Sequence, residues 1–142
     1  MPGKVVVLDN EAHSISLLGH ILSHLDVAGF STVEDYLACT EKDSDCIVLD
    51  GSGMNSSDDE HFRMLREHPD TSGIPVIYVG DNLSIDTRLA IYEAGVDDYV
   101  SKPFDVADLQ AKVSRALHQR RYERELLDNA ENAKQAAFEA MT

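Results

Sequence analysis

Short runs of apolar, mostly β-branched residues alternate with helix-like segments along the chain, and this alternation constrains the fold more than any other feature. Four strong runs read KVVVLD, CIVLD, IPVIYVG and DDYVSKP, and a weaker run reads AGFST. The strong runs are nearly continuously apolar, which is typical of parallel strands covered by helices on both faces. The order of strand, helix and strand therefore predicts βαβ units and a doubly wound α/β sheet with five strands and five helices.

Apolar residues in the intervening segments recur at helical spacing. The first segment places four of them on one predicted face: Ile15, Leu18, Leu22 and Leu25. Leu17 and Ile21 lie beside that stripe and are interpreted as further core, with a docking patch as the alternative. In a later segment, Leu89 and Tyr92 share a predicted face. Gly95 is predicted to cap that helix, as Pro69 is predicted to close the helix that carries Leu65.

The chain changes character after Asp105, because no glycine or proline occurs between Phe104 and Thr142. An apolar stripe there is predicted to pack on the sheet: Val106, Leu109, Val113 and Leu117. We expect one globular domain over residues 1–118 and a helical extension over residues 119–142, either a coiled coil or a linker to an output domain. A thin apolar seam in the extension predicts pairing with a second copy or another helix, and the alternative is a disordered acidic tail.

The charge balance excludes two classes of partner. The chain carries 12 Lys and Arg against 26 Asp and Glu, which gives a formal charge of -14. A domain of that charge repels nucleic-acid phosphates and anionic lipid, so we expect no direct nucleic-acid binding.

The first apolar run, Val5 to Leu8, is too short for a signal peptide or a membrane span. We therefore predict a cytoplasmic protein with no membrane partner.

Polar residues end four of the predicted strands, at the edge where open α/β sheets have their functional crevice. They are Asp9-Asn10-Glu11, Asp50, Gly80-Asp81 and Lys102. If the first, third, fourth and fifth strands are neighbours, these groups converge. Two or three oxygen ligands there would suit Mg²⁺, and a carboxylate beside a metal and a lysine can accept a phosphoryl group. The alternative is that each carboxylate is a solvated residue at the end of its strand.

Three of these segments resemble the receiver domain of two-component response regulators. VVVLDNE resembles the acidic pair after the first strand, and DCIVLDGSGM resembles the strand that ends in the phosphoacceptor. EAGVDDYVSKPF is similar to the segment with the switch aromatic, the lysine and the proline. The resemblance runs from about Lys4 to about Leu117 and is specific because the motifs occur in order. It implies a flavodoxin-like (βα)5 fold with strand order 2-1-3-4-5, to which the residues after Asp105 add an extended C-terminal helix.

The resemblance also implies a role for each site residue. Asp50 would accept the phosphoryl group, and Lys102 would contact it. Mg²⁺ would be held by four residues: Asp9, Asn10, Asp50 and, through its backbone carbonyl, Ser52. The switch positions would be Gly80, Tyr99 and Pro103, with a cis peptide bond before the proline.

Three departures from the family pattern bear on these roles. Asn10 stands at the second acidic position, and Met54 stands where proline is usual. Gly80 stands where the family has Thr or Ser, whose hydroxyl donates to the phosphoryl oxygen. A hydrogen bond to a charged group contributes roughly 1.5–3 kcal/mol, so its loss should affect the switch.

Two functions follow as hypotheses. In the first, a histidine kinase or a phosphotransfer protein phosphorylates Asp50, and the C-terminal helix relays the signal and forms a homodimer. No enzymatic activity is expected beyond self-catalysed phosphoryl acceptance and dephosphorylation. In the second, the chain is a phosphorylation-independent pseudo-receiver that acts in docking or dimerisation. A haloacid-dehalogenase-type phosphatase is set aside, because it would need an aspartate where Ser52 stands.

Overall fold

The fold is taken from a computed structural model, which describes residues 3–9, 12–39, 44–50, 56–81, 84–103 and 105–141. Strands and helices alternate along these residues, as the sequence predicts. The strands are β1 (Lys4–Leu8), β2 (Asp26–Phe30), β3 (Cys46–Asp50), β4 (Val76–Asp81) and β5 (Asp98–Lys102). The helices are α1 (Ala12–Ile21), α2 (Val33–Ala38), α3 (Ser56–Glu67), α4 (Ile85–Glu93) and α5 (Val106–Ala140).

The strands form one parallel sheet in the order β2-β1-β3-β4-β5. This confirms the order implied by the resemblance, and it places the weak run AGFST at the end of the edge strand β2. Strands β1 and β3 pair directly, with Leu8 opposite Leu49. The chain order reverses at this pair, and open α/β sheets have their functional crevice at such a reversal, outside the carboxyl ends of the strands.

Two apolar layers cover the sheet. One layer holds buried residues from α2, α3 and α4, and the other holds buried residues from α1 and α5. Side chains alternate between the layers along each strand: in β1, Val5 and Val7 enter the α1–α5 layer, whereas Val6 and Leu8 enter the other. This two-sided burial explains why the strand runs are almost continuously apolar.

Two interpretations of helical faces were wrong. In α4, Ile91 is buried, whereas Leu89 and Tyr92 are 55% and 48% exposed. Leu17, interpreted as core, is 50% exposed, although the neighbouring Ile21 packs against the α1–α5 layer. In both helices apolar residues occur on more than one side, so their spacing does not identify which side faces the sheet.

The predicted helix ends are confirmed. Gly95 follows α4 with a φ of 100°, and its N–H donates to the carbonyl of Tyr92 at 3.0 Å. Glycine adopts this left-handed conformation without the steric cost that a Cβ atom brings, so it can satisfy a carbonyl at the end of the helix. Helix α3 ends at Glu67, two residues before Pro69.

Helix α5 is a single continuous helix of 35 residues. Leu109 and Val113 are fully buried, but Val106, which the predicted stripe includes, is 45% exposed. Val106 is more exposed than Leu109 and Val113 because it is the first residue of the helix, soon after the chain leaves β5.

Contacts between α5 and the segments that precede β3 and β4 continue past residue 118. Nη1 of Arg120 donates to the carbonyl of Gly73 at 3.1 Å, and Nη1 of Arg124 donates to Oδ1 of Asp45 at 3.0 Å. Residues 125–141 are all exposed. The division at residue 118 stays a prediction, and the last described contact of the helix with the globule is made by Arg124.

Candidate functional site

The carboxyl ends of β1, β3 and β5 bring three of the predicted site residues to one edge of the sheet. Asp9 directly follows β1, Asp50 ends β3 and Lys102 ends β5. Because Leu8 pairs with Leu49, the next residues along these strands, Asp9 and Asp50, are neighbours. The parallel order β1-β3-β4-β5 therefore produces the convergence on which the sequence argument depended.

These three residues also lie on the same face of the sheet. Each follows by two positions a valine that points into the α1–α5 layer: Val7, Val48 and Val100. Since successive side chains of a strand point to opposite faces, residues two apart share a face. The strand alternation thus directs Asp9, Asp50 and Lys102 to one side.

Asp50 and Lys102 form a partly buried ion pair. Nζ of Lys102 donates to Oδ1 of Asp50 at 2.7 Å, and only 4% of the Asp50 side chain is exposed. Burial raises the pKa of Asp50 from 3.8 to about 6; the hydrogen bond from Lys102 opposes this rise, and the negative charge of Asp9 adds to it. The Asp50 anion is therefore incompletely compensated, and further positive charge at this edge would stabilise it.

Asp9 and Asp50 are suitable ligands for Mg²⁺. Asp9 is buried, with 6% of its surface exposed, and its charge acts on Asp50. Mg²⁺ in proteins is held by one or two carboxylates and keeps several waters, so two adjacent carboxylates fit this cation. Among the described residues, no group of three or more His, Cys, Asp or Glu could hold a metal ion. The fit therefore depends on this carboxylate pair.

Two of the predicted metal ligands, Asn10 and Ser52, lie outside the described residues. The same holds for Met54 and for the loop of residues 51–55 that follows Asp50. Their predicted roles stay predictions.

The predicted switch positions lie on β4 and β5. Tyr99 is 8% exposed and belongs to the layer of α2, α3 and α4. Tyr78 pairs with Tyr99, and Gly80 follows Tyr78 by two residues, so Gly80 shares the face on which the Tyr99 ring is buried. The peptide bond between Lys102 and Pro103 is cis, as the resemblance implied. Gly80 itself thus brings no side-chain hydroxyl to this face.

Two basic residues that the sequence did not single out hold Tyr99. The guanidinium of Arg88 in α4 lies 5.9 Å from the centre of the Tyr99 ring, within the range of a cation–π interaction. Nζ of Lys112 in α5 donates to the carbonyl of Tyr99 at 2.9 Å. Both contacts join residues of separate elements, and no local sequence motif predicts them.

Comparison with known proteins agrees with this geometry. Residues 5–114 match the family model described as the response regulator receiver domain. The chain belongs to this family. It is a response regulator receiver domain of two-component signalling, with the five-stranded parallel fold that the sequence predicted.

Two curated relatives are regulators of transcription. The receiver domain is 34% identical over 120 residues to the transcriptional regulatory protein PrrA of Mycobacterium tuberculosis, an alignment that covers 82% of this chain and 51% of PrrA. It is 32% identical over 123 residues to the phosphate regulon transcriptional regulatory protein PhoB of Rhizobium meliloti, covering 82% of this chain and 52% of PhoB. The chain therefore spans about half the length of these relatives.

A solved structure has the same fold. The BeF3-activated DrrB receiver domain superposes with a TM-score of 0.70 at 31% sequence identity, covering 83% of this chain and 99% of that one. In the described part of this chain, no helix combines the length and the hydropathy needed to cross a lipid bilayer.

Proposed function

We propose that this receiver domain accepts a phosphoryl group on Asp50. The observation that carries the proposal is the 2.7 Å contact between Nζ of Lys102 and Oδ1 of Asp50 at the carboxyl edge of the sheet. A carboxylate held rigidly at a strand end is a competent nucleophile if the charge of the transferring group is neutralised. Lys102 supplies one positive charge at that position, and Asp9 is available to bind a cation.

In the proposed reaction, a carboxylate oxygen of Asp50 forms a bond to phosphorus. The bond between phosphorus and the donor breaks at the same time, and the donor leaves with the electron pair of that bond. Lys102 moves from the Asp50 carboxylate toward the new phosphoryl oxygens and donates to them. The donor is expected to be a histidine kinase, a phosphotransfer protein or a small acyl phosphate.

Asp9 and Asp50, with Asn10 and the carbonyl of Ser52, would hold Mg²⁺. When bound, this cation supplies charge neutralisation for the incoming phosphoryl group. The proximity of Asp9 to Asp50 supports this assignment, because two carboxylates beside one lysine leave an excess of negative charge that a cation would offset. Removal of divalent cations should therefore slow phosphorylation.

Gly80 favours a second candidate function, a pseudo-receiver that works without phosphorylation. It lies on the same face as the buried Tyr99 ring and offers no hydroxyl to a phosphoryl group. In that case docking or dimerisation would be the function of the domain, and Tyr99 would keep its inward position under Arg88 whatever the state of Asp50.

Intact-mass spectrometry after incubation with acetyl phosphate and Mg²⁺ distinguishes the two candidates. Phosphorylation predicts one phosphoryl adduct on the wild type and none on Asp50→Asn. Asp108→Asn is the matched control, since Asp108 is a half-exposed carboxylate of α5 that is not one of the site residues, and it should keep the adduct. Absence of an adduct on the wild type, together with no response to beryllofluoride, would favour the pseudo-receiver.

The remaining parts of the proposal concern partners and location. The exposed apolar residues of the helical extension support a homodimer formed through α5; they include Tyr122, Leu126, Leu127, Phe138 and Met141. Analytical ultracentrifugation of the full chain and of a chain ending at residue 125 tests this, since only the full chain should dimerise. We place the domain in the cytoplasm, where its kinase partners would act.

A further inference from the structure

Helix α5 keeps one regular spacing along the side with which it packs on the sheet, and this spacing continues past the globule. Leu109, Val113 and Ala116 on that side are buried. Arg120 follows, and its Nη1 donates to the carbonyl of Gly73 at 3.1 Å. These positions alternate between steps of four and three residues. The same steps then reach six residues that we call the seam: Glu123, Leu127, Ala130, Lys134, Ala137 and Met141.

The seam is exposed to solvent in the single protomer. All of its residues are exposed, and Leu127 and Met141 are 68% and 84% exposed. Leu126 and Phe138, which stand next to seam residues in the sequence, are also large, apolar and exposed. Steps of four and three average about 3.5 residues, the period with which a helix presents one side to a second helix in a coiled coil. The seam therefore has the pattern of a surface that packs against another helix.

Two charged residues of opposite sign interrupt the apolar seam. Glu123 and Lys134 lie eleven residues apart, which is about three turns and about 16 Å along a helix axis. Glu123 accepts a hydrogen bond from Nε2 of Gln119 at 3.4 Å, a long distance for such a bond, and its carboxylate can accept further donors. A charge at a seam position is costly unless the facing helix supplies a partner. The facing helix must therefore bring a cation to Glu123 and an anion to Lys134.

A second copy of α5 meets both requirements when it runs in the opposite direction. In a parallel pair in register, each seam residue faces its own copy, so Glu123 faces Glu123 and Lys134 faces Lys134. Glu123 and Lys134 are equally far from a point between Asp128 and Asn129. In an antiparallel pair that crosses at this point, Glu123 of each copy faces Lys134 of the other. The antiparallel pair thus has two opposite-charge contacts where the parallel pair has two like-charge contacts.

The same crossing point also matches the sizes of the side chains. It sets Leu127 of each copy against the small Ala130 of the other, so that a large residue faces a small one on both sides of the centre. Sliding one helix by a heptad would set Lys134 against Ala130 and Glu123 against Met141. Both charges of each copy would then lack a partner. Charge and size therefore select the same register.

We propose that α5 pairs with α5 of a second copy of this chain in an antiparallel coiled coil that crosses between Asp128 and Asn129. The proposal rests on the homodimer through α5 that is part of the proposed function, and it adds the direction and the register of the two helices. Each α5 enters the coiled coil from its own globular domain, so the two domains lie at opposite ends of it.

Single charge reversals distinguish the two directions. In sedimentation equilibrium, Glu123→Lys and Lys134→Glu should each raise the dimer dissociation constant about tenfold or more, because each turns both opposite-charge contacts into like-charge contacts. The double variant restores opposite charges and should dimerise within about threefold of the wild type. In a parallel pair, a single reversal only replaces one like-charge contact by another. Single variants that dimerise as tightly as the wild type would therefore overturn the proposal.

Glu125→Lys is the matched control for net charge. Glu125 is exposed and lies two residues after Glu123, on the other side of the helix. Its reversal changes the net charge by the same amount and should alter the dissociation constant by less than about threefold. Equal weakening by Glu125→Lys and Glu123→Lys would show a general charge effect and would overturn the proposal. Circular dichroism checks that each variant keeps its helix content, and a double variant that does not recover dimerisation overturns the proposal whatever the single variants do.

These measurements separate the antiparallel arrangement from the homodimer on which it rests. A wild type that stays monomeric at high concentration overturns both. A wild-type dimer that is indifferent to the single reversals overturns the antiparallel arrangement alone. Phosphorylation of Asp50 enters neither result.

Discussion

Replacing Asp50 by asparagine should stabilise the protein at neutral pH, although it removes an ion pair. The wild-type carboxylate is buried and only partly compensated by Lys102, and its pKa is raised from 3.8 to about 6. The neutral amide of asparagine has nearly the shape of the protonated acid and avoids the cost of the buried charge. The released Lys102 is 29% exposed and can recover hydration.

The sign and size of the effect follow from the linkage between proton binding and folding. Because the folded-state pKa lies above the unfolded value, the proton on Asp50 stabilises the wild type below about pH 4, and this stabilisation is lost as pH rises through 6. Each pKa unit corresponds to about 1.4 kcal/mol, which gives an upper value of about 3 kcal/mol for the change from 3.8 to 6. We expect Asp50→Asn to gain about 1 to 3 kcal/mol at pH 7.5 and almost nothing at pH 3.5.

Urea unfolding at a series of pH values, followed by circular dichroism, measures this difference. Asp108→Asn serves as control, because Asp108 is 50% exposed and paired with Lys112 at 3.2 Å, and its replacement should change stability by less than about 0.5 kcal/mol. Lower stability of Asp50→Asn than of the wild type at pH 7.5 would refute the reasoning. A gain that did not vary with pH would refute it as well.

Three further predictions concern other parts of the molecule. Arg66→Gln should lower the free energy of unfolding by about 2 kcal/mol in urea titrations, because Arg66 donates to three backbone carbonyls and to Asp97 at 2.6 Å. Arg115→Gln, at an exposed position of α5, is the control and should change it by less than about 0.5 kcal/mol. A chain ending at residue 117 should be about 1 kcal/mol less stable in the same urea titrations than one ending at residue 125, because only the longer chain keeps the contacts of Arg120 and Arg124. Equal stability of the two chains would support a domain boundary at residue 118. Gly80→Thr should lengthen the lifetime of the phosphoryl adduct, because it restores a hydroxyl donor. A mass-spectrometric time course measures this lifetime, and an unchanged value would show that the hydroxyl is dispensable here.

The sequence was informative about the fold because two independent signals agree. The two-sided apolar runs predict parallel strands, and the segments between them predict helices. Strand order cannot be read from such runs, since any neighbour can cover an apolar face; it came from the resemblance of three ordered motifs, and the structure confirms it. Gly95 and Pro69 were predictable because each acts through local backbone geometry.

The buried faces of amphipathic helices were less predictable. Leu89 and Tyr92 have the spacing of a core face, yet they are exposed, whereas Ile91 in the same helix is buried. Burial of a helix side depends on the element that packs against it, and the apolar residues of α4 do not form one stripe. The same reason accounts for the exposed Leu17 beside the buried Leu18.

The residues of the candidate site could be predicted from the sequence, but the strength of their interactions could not. Asp9, Asp50 and Lys102 could be chosen because each stands at a strand end, and the period of two along a strand places them on one face. The contact at 2.7 Å and the raised pKa of Asp50 depend on how deeply the strands are covered, which residue types alone do not determine. Arg88 and Lys112, which hold Tyr99, come from two different helices and have no sequence signature.

Chemical trapping of the phosphorylated residue tests the central claim most directly. The protein is incubated with acetyl phosphate and Mg²⁺ and then reduced with borohydride, which converts an aspartyl phosphate to homoserine. Peptide mass spectrometry then reads the position of the homoserine. The account predicts homoserine at position 50, and a much lower yield when a chelator replaces Mg²⁺. Homoserine at another aspartate, or none at any position while the protein remains folded, would contradict the assignment of Asp50 as the phosphoacceptor.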